Sequence, residues 1–101
     1  MATTPKALFR GAATTTTTTT LYTVPSNTTA VVTDILVTNT SGSDESFTLA
    51  LDDVSIATTV TVGAYDSTVI PIKQVLETGK TMSGGASATT INFHISGVEI
   101  I

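Results

Sequence analysis

Residues 21 to 101 break into short runs of alternating apolar and polar residues, cut every few positions by Gly, Pro, Asn, Asp or Ser. That period of two is the pattern of a strand with one face in a core and the other in water. Val31 to Asn39 is the clearest case: Val31, Thr33, Ile35 and Val37 fall on one side, Val32, Asp34, Leu36 and Thr38 on the other. Phe47, Leu49 and Leu51 alternate up to Asp52-Asp53, then Ile56, Thr58, Val60 and Val62 up to Gly63. Ser67 to Ile72 carries Pro71, which places that strand at an edge or a bulge. Ser83-Gly84-Gly85 reads as a flexible tip, and Ile91, Phe93 and Ile95 lead into the apolar end Val98-Glu99-Ile100-Ile101. No amphipathic helix period occurs. About seven short strands predict an all-β fold, a single antiparallel β-sandwich of Ig-like or jelly-roll type.

Threonine supplies 24 of the 101 residues, seven of them consecutive from Thr14 to Thr20. Its β-branched side chain disfavours helix and fits a pleated surface, while its hydroxyl keeps an outer face wet without charge. Two segments are therefore expected: an extended Thr-rich arm over residues 1–20 and a β-sandwich domain over 21–101. Twenty extended residues reach up to about 65 Å, beyond the body of so small a domain. The arm carries an apolar island at Leu8 and Phe9, followed by Arg10, and reads as a tether to a neighbouring subunit.

Charged residues make up 12% of the chain, about half the usual share, and the net charge is −4. An uncharged surface suits contact with protein. The acidic balance and the scattered Lys6, Arg10, Lys73 and Lys80 oppose nucleic-acid or anionic-membrane binding. No run approaches the roughly 20 apolar residues that span a bilayer as a helix, and the start shows no apolar signal segment. Cysteine is absent, which excludes disulfides and thiolate metal sites.

Candidates for chemistry are few. Asp52 and Asp53, with Asp44 and Glu45, lack a calcium-loop spacing and read as turn residues. His94, the single histidine, lies on the polar side of its strand beside Asn92 and Ser96. One histidine without cysteine makes a poor metal site. No nucleophile elbow is present. Catalytic residues, cofactor and metal are accordingly each expected to be none. Tyr22 and Tyr65 are too scattered for a carbohydrate platform, and the Asn27 and Asn39 glycosylation patterns are chance matches in a Thr-rich chain. The expected contacts are Leu8, Phe9, Arg10, Thr14, Thr17 and Thr20 in the arm and Val98, Ile100 and Ile101 at the carboxyl end, whose strand is either buried in its own sheet or an edge completed by a neighbour.

Three segments, LYTVPSNTTAVV from Leu21, ILVTNTSG from Ile35 and HISGVE from His94, resemble small virion proteins of tailed bacteriophages. The resemblance covers residues 21 to 99 and leaves out the poly-Thr segment. It implies a non-enzymatic virion structural protein assembled in the host cytoplasm. The leading form is a capsid decoration (cement) subunit bridging coat proteins, with the major capsid protein or another virion protein as partner and a homo-oligomeric state, a trimer favoured. A tail, baseplate or fibre component is the alternative, and a glycan- or receptor-binding module a second one.

Overall fold

A computed structural model describes residues 2–101 and shows eight strands and no helix among them. They are β1 (Thr3–Ala12), β2 (Thr20–Thr23), β3 (Thr29–Asn39), β4 (Glu45–Leu51), β5 (Val54–Val62), β6 (Ser67–Leu76), β7 (Thr81–Ala86) and β8 (Ile91–Ile100). Sheet A runs β1-β8-β3-β6 and sheet B runs β2-β7-β4-β5, with every pairing antiparallel. Only β4 and β5 are both consecutive and paired; every other connection changes sheet. This strand order is that of a jelly roll, not of an immunoglobulin sandwich.

The one hairpin is made by Asp52 and Asp53, whose φ values of 51° and 61° sit between the paired Leu51 and Val54. Two positive-φ residues at the centre of a two-residue loop match a type I′ turn, which Asp tolerates. The inner faces of the two sheets enclose Val32, Ile35, Val37, Phe47, Leu49, Met82, Ile91, Phe93 and Ile95, all nearly inaccessible. Phe47 of sheet B meets Phe93 of sheet A edge to face, with ring centroids 6.1 Å apart and planes at 74°. The electrostatics of aromatic rings favours that geometry.

The expected arm over residues 1–20 is instead part of the sandwich, Met1 lying outside the described residues. Residues 3–12 form β1 and pair with β8 from Thr3↔Ile100 to Ala12↔Asn92. Leu8 occupies a bulge in that ladder, is buried, and belongs to the core; Phe9 packs against it. An apolar island with a partner strand in its own chain satisfies its backbone there and has nothing left to tether.

The threonine run is the crossover from sheet A to sheet B. It lies along β7, whose Ala86 N–H donates to Thr14 O at 2.9 Å and Gly84 N–H to Thr19 O at 2.9 Å. The hydroxyls of Thr14 and Thr19 meet at 2.6 Å, and both the N–H and the hydroxyl of Thr19 donate to Thr16 O. The expected flexible tip at Ser83-Gly84-Gly85 is therefore interior to β7 and buried. A Cβ on Gly85 would stand 2.3 Å from Thr16 O, so the close run of threonine backbone requires glycine there.

Two further expectations change. A bulge between Val32 and Asp34 shifts the phase of β3, so that Ala30 and Val32 face inward before it and Ile35, Val37 and Asn39 after it. In β5, register shifts against β4 and a φ of 50° at Thr59 leave Ala57 and Val62 buried but Ile56 and Val60 exposed. Strict alternation assigned the wrong faces because a bulge adds a residue without a partner. Pro71 proves to be both at an edge and at the β3–β6 irregularity, opposite Asp34.

The β3 bulge brings Gly97 so close to Val31 that a Cβ would lie 2.2 Å from its carbonyl oxygen and 2.9 Å from Leu8. Gly97→Ala is expected to destabilise the protein by roughly 1–3 kcal/mol through overpacking, at about 4–8 °C of melting temperature per kcal/mol for a domain of this size. An unchanged melting temperature by circular dichroism would refute the close approach.

Candidate functional site

On β8, Asn92, His94, Ser96, Val98 and Ile100 point to the outer side of sheet A, alternating with buried neighbours. Register carries that face across four strands. Pro5, Val98, Val31 and Val75 form one apolar row, each paired with the next. Ile100 lies beside the row, paired with Thr29 and Thr3. Further along the same face, Arg10, His94, Leu36 and Val69 form a second row. The first row is wholly apolar, whereas the second sets Arg10 and His94 beside the apolar Leu36 and Val69. At the apolar end Ala2 and Ile101 exchange two backbone hydrogen bonds of 3.1 and 2.9 Å.

Of the nine expected contact residues, the fold gathers Arg10, Val98 and Ile100 on this face, with Ile101 exposed at its margin. Leu8 and Phe9 turn inward, and β8 lies between β1 and β3, so of the two readings of the carboxyl-terminal strand it is the one buried within its own sheet that holds. Thr14, Thr17 and Thr20 are exposed on the opposite sheet's side, Thr20 pairing with Ser83. Sequence reasoning missed Pro5, Val31 and Val75, because their grouping depends on register between strands far apart in the chain.

Behind the apolar end Glu99 and Tyr22 are buried together, with the half-exposed Lys6 beside them. Glu99 points inward from β8 and accepts a 2.5 Å hydrogen bond from the Tyr22 hydroxyl of sheet B and a 3.3 Å bond from Lys6 Nζ of β1. The Tyr22 bond, with help from Lys6, holds the Glu99 carboxyl below the usual carboxylate range against the opposing effect of burial. Burial first, then Glu99, pushes the Tyr22 phenol well above its usual range. The trio ties both sheets together and underpins the row above it.

Two depressions open on the surface. One, of about 600 Å³, lies at the β3–β6 bulge and is lined by Thr33, Asp34, Pro71, Ile72, Lys73 and Gln74. Its only hydroxyl, Thr33 Oγ1, already donates to Ser96 O at 3.2 Å. The other, of about 330 Å³, is a hydroxyl-rich dip between the threonine crossover and sheet B, lined by Thr17, Thr18, Thr48, Ser55 and Ser83 with Ala50 and Asp53. That is the bottom of the size range for small-molecule sites. Asn39 is buried, its amide donating to the carbonyls of Ser43, Val62 and Gly63 at 2.8–3.2 Å, so it is no glycan acceptor in the folded chain. Asp52 lies 3.7 Å from Lys80, and no cluster of three metal-ligating residues occurs among the described residues.

Comparison with known protein families and with curated proteins finds no match.

The cluster sets a pH dependence. Glu99 binds its proton more weakly in the folded state, so its stabilisation is present above the unfolded carboxyl value of about 4.3 and is lost as the pH falls through the folded value. Tyr22 has a raised folded value, so its contribution is complete below about pH 10 and is lost in stronger alkali. The stability advantage of the wild type over Glu99→Gln is expected to shrink between pH 6 and pH 3 in urea melts; parallel curves would contradict it. Tyr22→Phe is expected to cost about 1–3 kcal/mol at pH 7 by leaving a buried carboxylate short of a donor.

Proposed function

We propose that this chain is a non-enzymatic structural protein of a tailed-bacteriophage virion, a capsid decoration subunit that seats sheet A on the head and bridges neighbouring coat proteins. The observation that carries the reading is the apolar row Pro5, Val98, Val31 and Val75 across all four strands of one outer face. A row of aliphatic side chains on a sheet exterior gains about 2.5 kcal/mol for each 100 Å² of apolar surface covered. Repeated over many copies, that gain resists separation of the coat subunits it spans. The likeness of the LYTVP, NTSG and SGVE segments to small phage virion proteins supports the reading. So does the architecture, which is common among viral capsid domains.

The mechanism is mechanical. The Glu99 cluster and the Ala2–Ile101 bonds brace the strands that carry the row, so little order is lost on docking. Arg10 gives the second row its one charge and fixes the orientation of docking.

Purified protein added back to particles stripped of it tests this. Val31→Asp and Val98→Lys are expected to weaken particle binding by at least about a hundredfold, some 2.7 kcal/mol, with the β-sheet circular dichroism unchanged. Binding that survives both changes would remove the row from the interface. Recovery of the protein with isolated tails and not with heads would move it to the tail, baseplate or fibre.

A further inference from the structure

Four polar residues are buried among the described ones, and three have their side chains satisfied within the chain. Thr28 donates to Ser26 O, Asn39 bonds three carbonyls, and Glu99 holds Tyr22 and Lys6. Ser83 is the exception. It is 8% exposed, and its hydroxyl meets no other group of the described chain. Buried polar groups are nearly always hydrogen-bonded, so an unpartnered one marks a place where something outside the chain supplies the bond. Ser83 opens on the hydroxyl-rich dip of about 330 Å³ beside the threonine crossover.

Register sets the floor of that dip. Ser83 pairs with Ala50 across β7 and β4, and Ala50 pairs with Ser55 across β4 and β5. Two hydroxyls thus flank one methyl on the outer side of sheet B, whose inner side carries Met82, Leu49 and Leu51. Strands about 4.8 Å apart put the two serines about 10 Å from each other. Thr48 lies two residues along β4 on the same side. Its Oγ1 accepts from Thr59 N–H at 3.1 Å, which leaves its own proton to donate. Thr17 and Thr18 come from the crossover and Asp53 from the β4–β5 turn. The one lysine near that turn, Lys80, is taken by Asp52 and not by Asp53.

We propose that this dip binds one neutral sugar unit, its ring over the Ala50 methyl and its hydroxyls held by Ser83, Ser55 and Asp53. The chemistry of the lining selects the ligand. Five hydroxyls that both donate and accept suit a molecule that does the same, as a sugar does. Asp53 only accepts, so the ligand must bring donors and no negative charge. An ammonium group brings donors alone and leaves the serine and threonine protons without an acceptor. Ala50 gives the apolar C–H face of the ring a small surface to lie on, where a larger side chain would fill the dip. Recognition of this kind needs no aromatic platform. The site lies on the opposite side of the sandwich from the Pro5–Val98–Val31 row and does not rest on the capsid reading.

Amide NMR spectra of the full chain, titrated with the methyl glycosides of glucose, mannose and galactose, test the proposal. At least one is expected to shift the amides of Ser83, Ala50 and Ser55 with a dissociation constant of about 1–10 mM, in keeping with roughly a dozen ligand atoms at modest efficiency. Asp53→Asn, which the turn tolerates, is expected to weaken binding roughly tenfold. Ala50→Leu is expected to abolish it. Ser83→Ala is expected to weaken binding roughly fivefold and to leave the melting temperature unchanged or higher, because the hydroxyl bonds nothing in the chain. Three results would overturn the site: no shift at these amides with any of the three glycosides up to about 100 mM, an equal response to methylammonium chloride, or undiminished binding by Ser83→Ala.

Discussion

Strand β8 hydrogen-bonds to β1 along one side and to β3 along the other, so sheet A has no continuous ladder until the last ten residues are in place. Every backbone polar group buried in that sheet needs its partner, and β8 supplies partners to strands that begin at Thr3 and Thr29. Its inward face adds Phe93 to the aromatic contact with Phe47 and Glu99 to the bond with Tyr22, both reaching sheet B. Loss of β8 would open β1 and β3 together and strand Lys6 without its carboxylate. A fold closed by its final strand carries a high contact order and belongs with the slower-folding β topologies.

The four sheet edges are handled in different ways, and the differences decide where a partner can sit. β1 carries Pro5 and a bulge at Leu8, and β2 is four residues long. β6 carries Pro71, and β5 is bulged. Each device obstructs strand addition. With the edges obstructed, the surface the chain leaves open is its side-chain faces, the apolar row on sheet A among them.

Threonine has a different part from the one its abundance suggests. The homopolymer is no free arm, and only its last residue, Thr20, enters a strand. It is a crossover whose carbonyls serve β7 and whose hydroxyls bond to each other and to their own turn. Gly85, which looks like part of a loose tip, is the complementary half of that contact, since a bare backbone there lets the crossover lie on the strand, while its neighbour Gly84 makes room for Thr48 and Leu49 of β4.

The sequence by itself determined the fold class, the central strands and the absence of helix, because alternation, β-branching and turn residues act over a few neighbouring positions. It also singled out Arg10, Val98 and Ile100, which the register places on one outer face. Only the tertiary structure decided the jelly-roll order, the inward turn of Leu8 and Phe9, and the faces of β3 and β5. Those depend on a bulge, a cross-sheet bond or a register between residues such as Pro5 and Val98, or Val31 and Val75. Alternation is blind to a single unpaired residue, which reverses every face beyond it, and a strand carries no mark of which distant strand it will pair with.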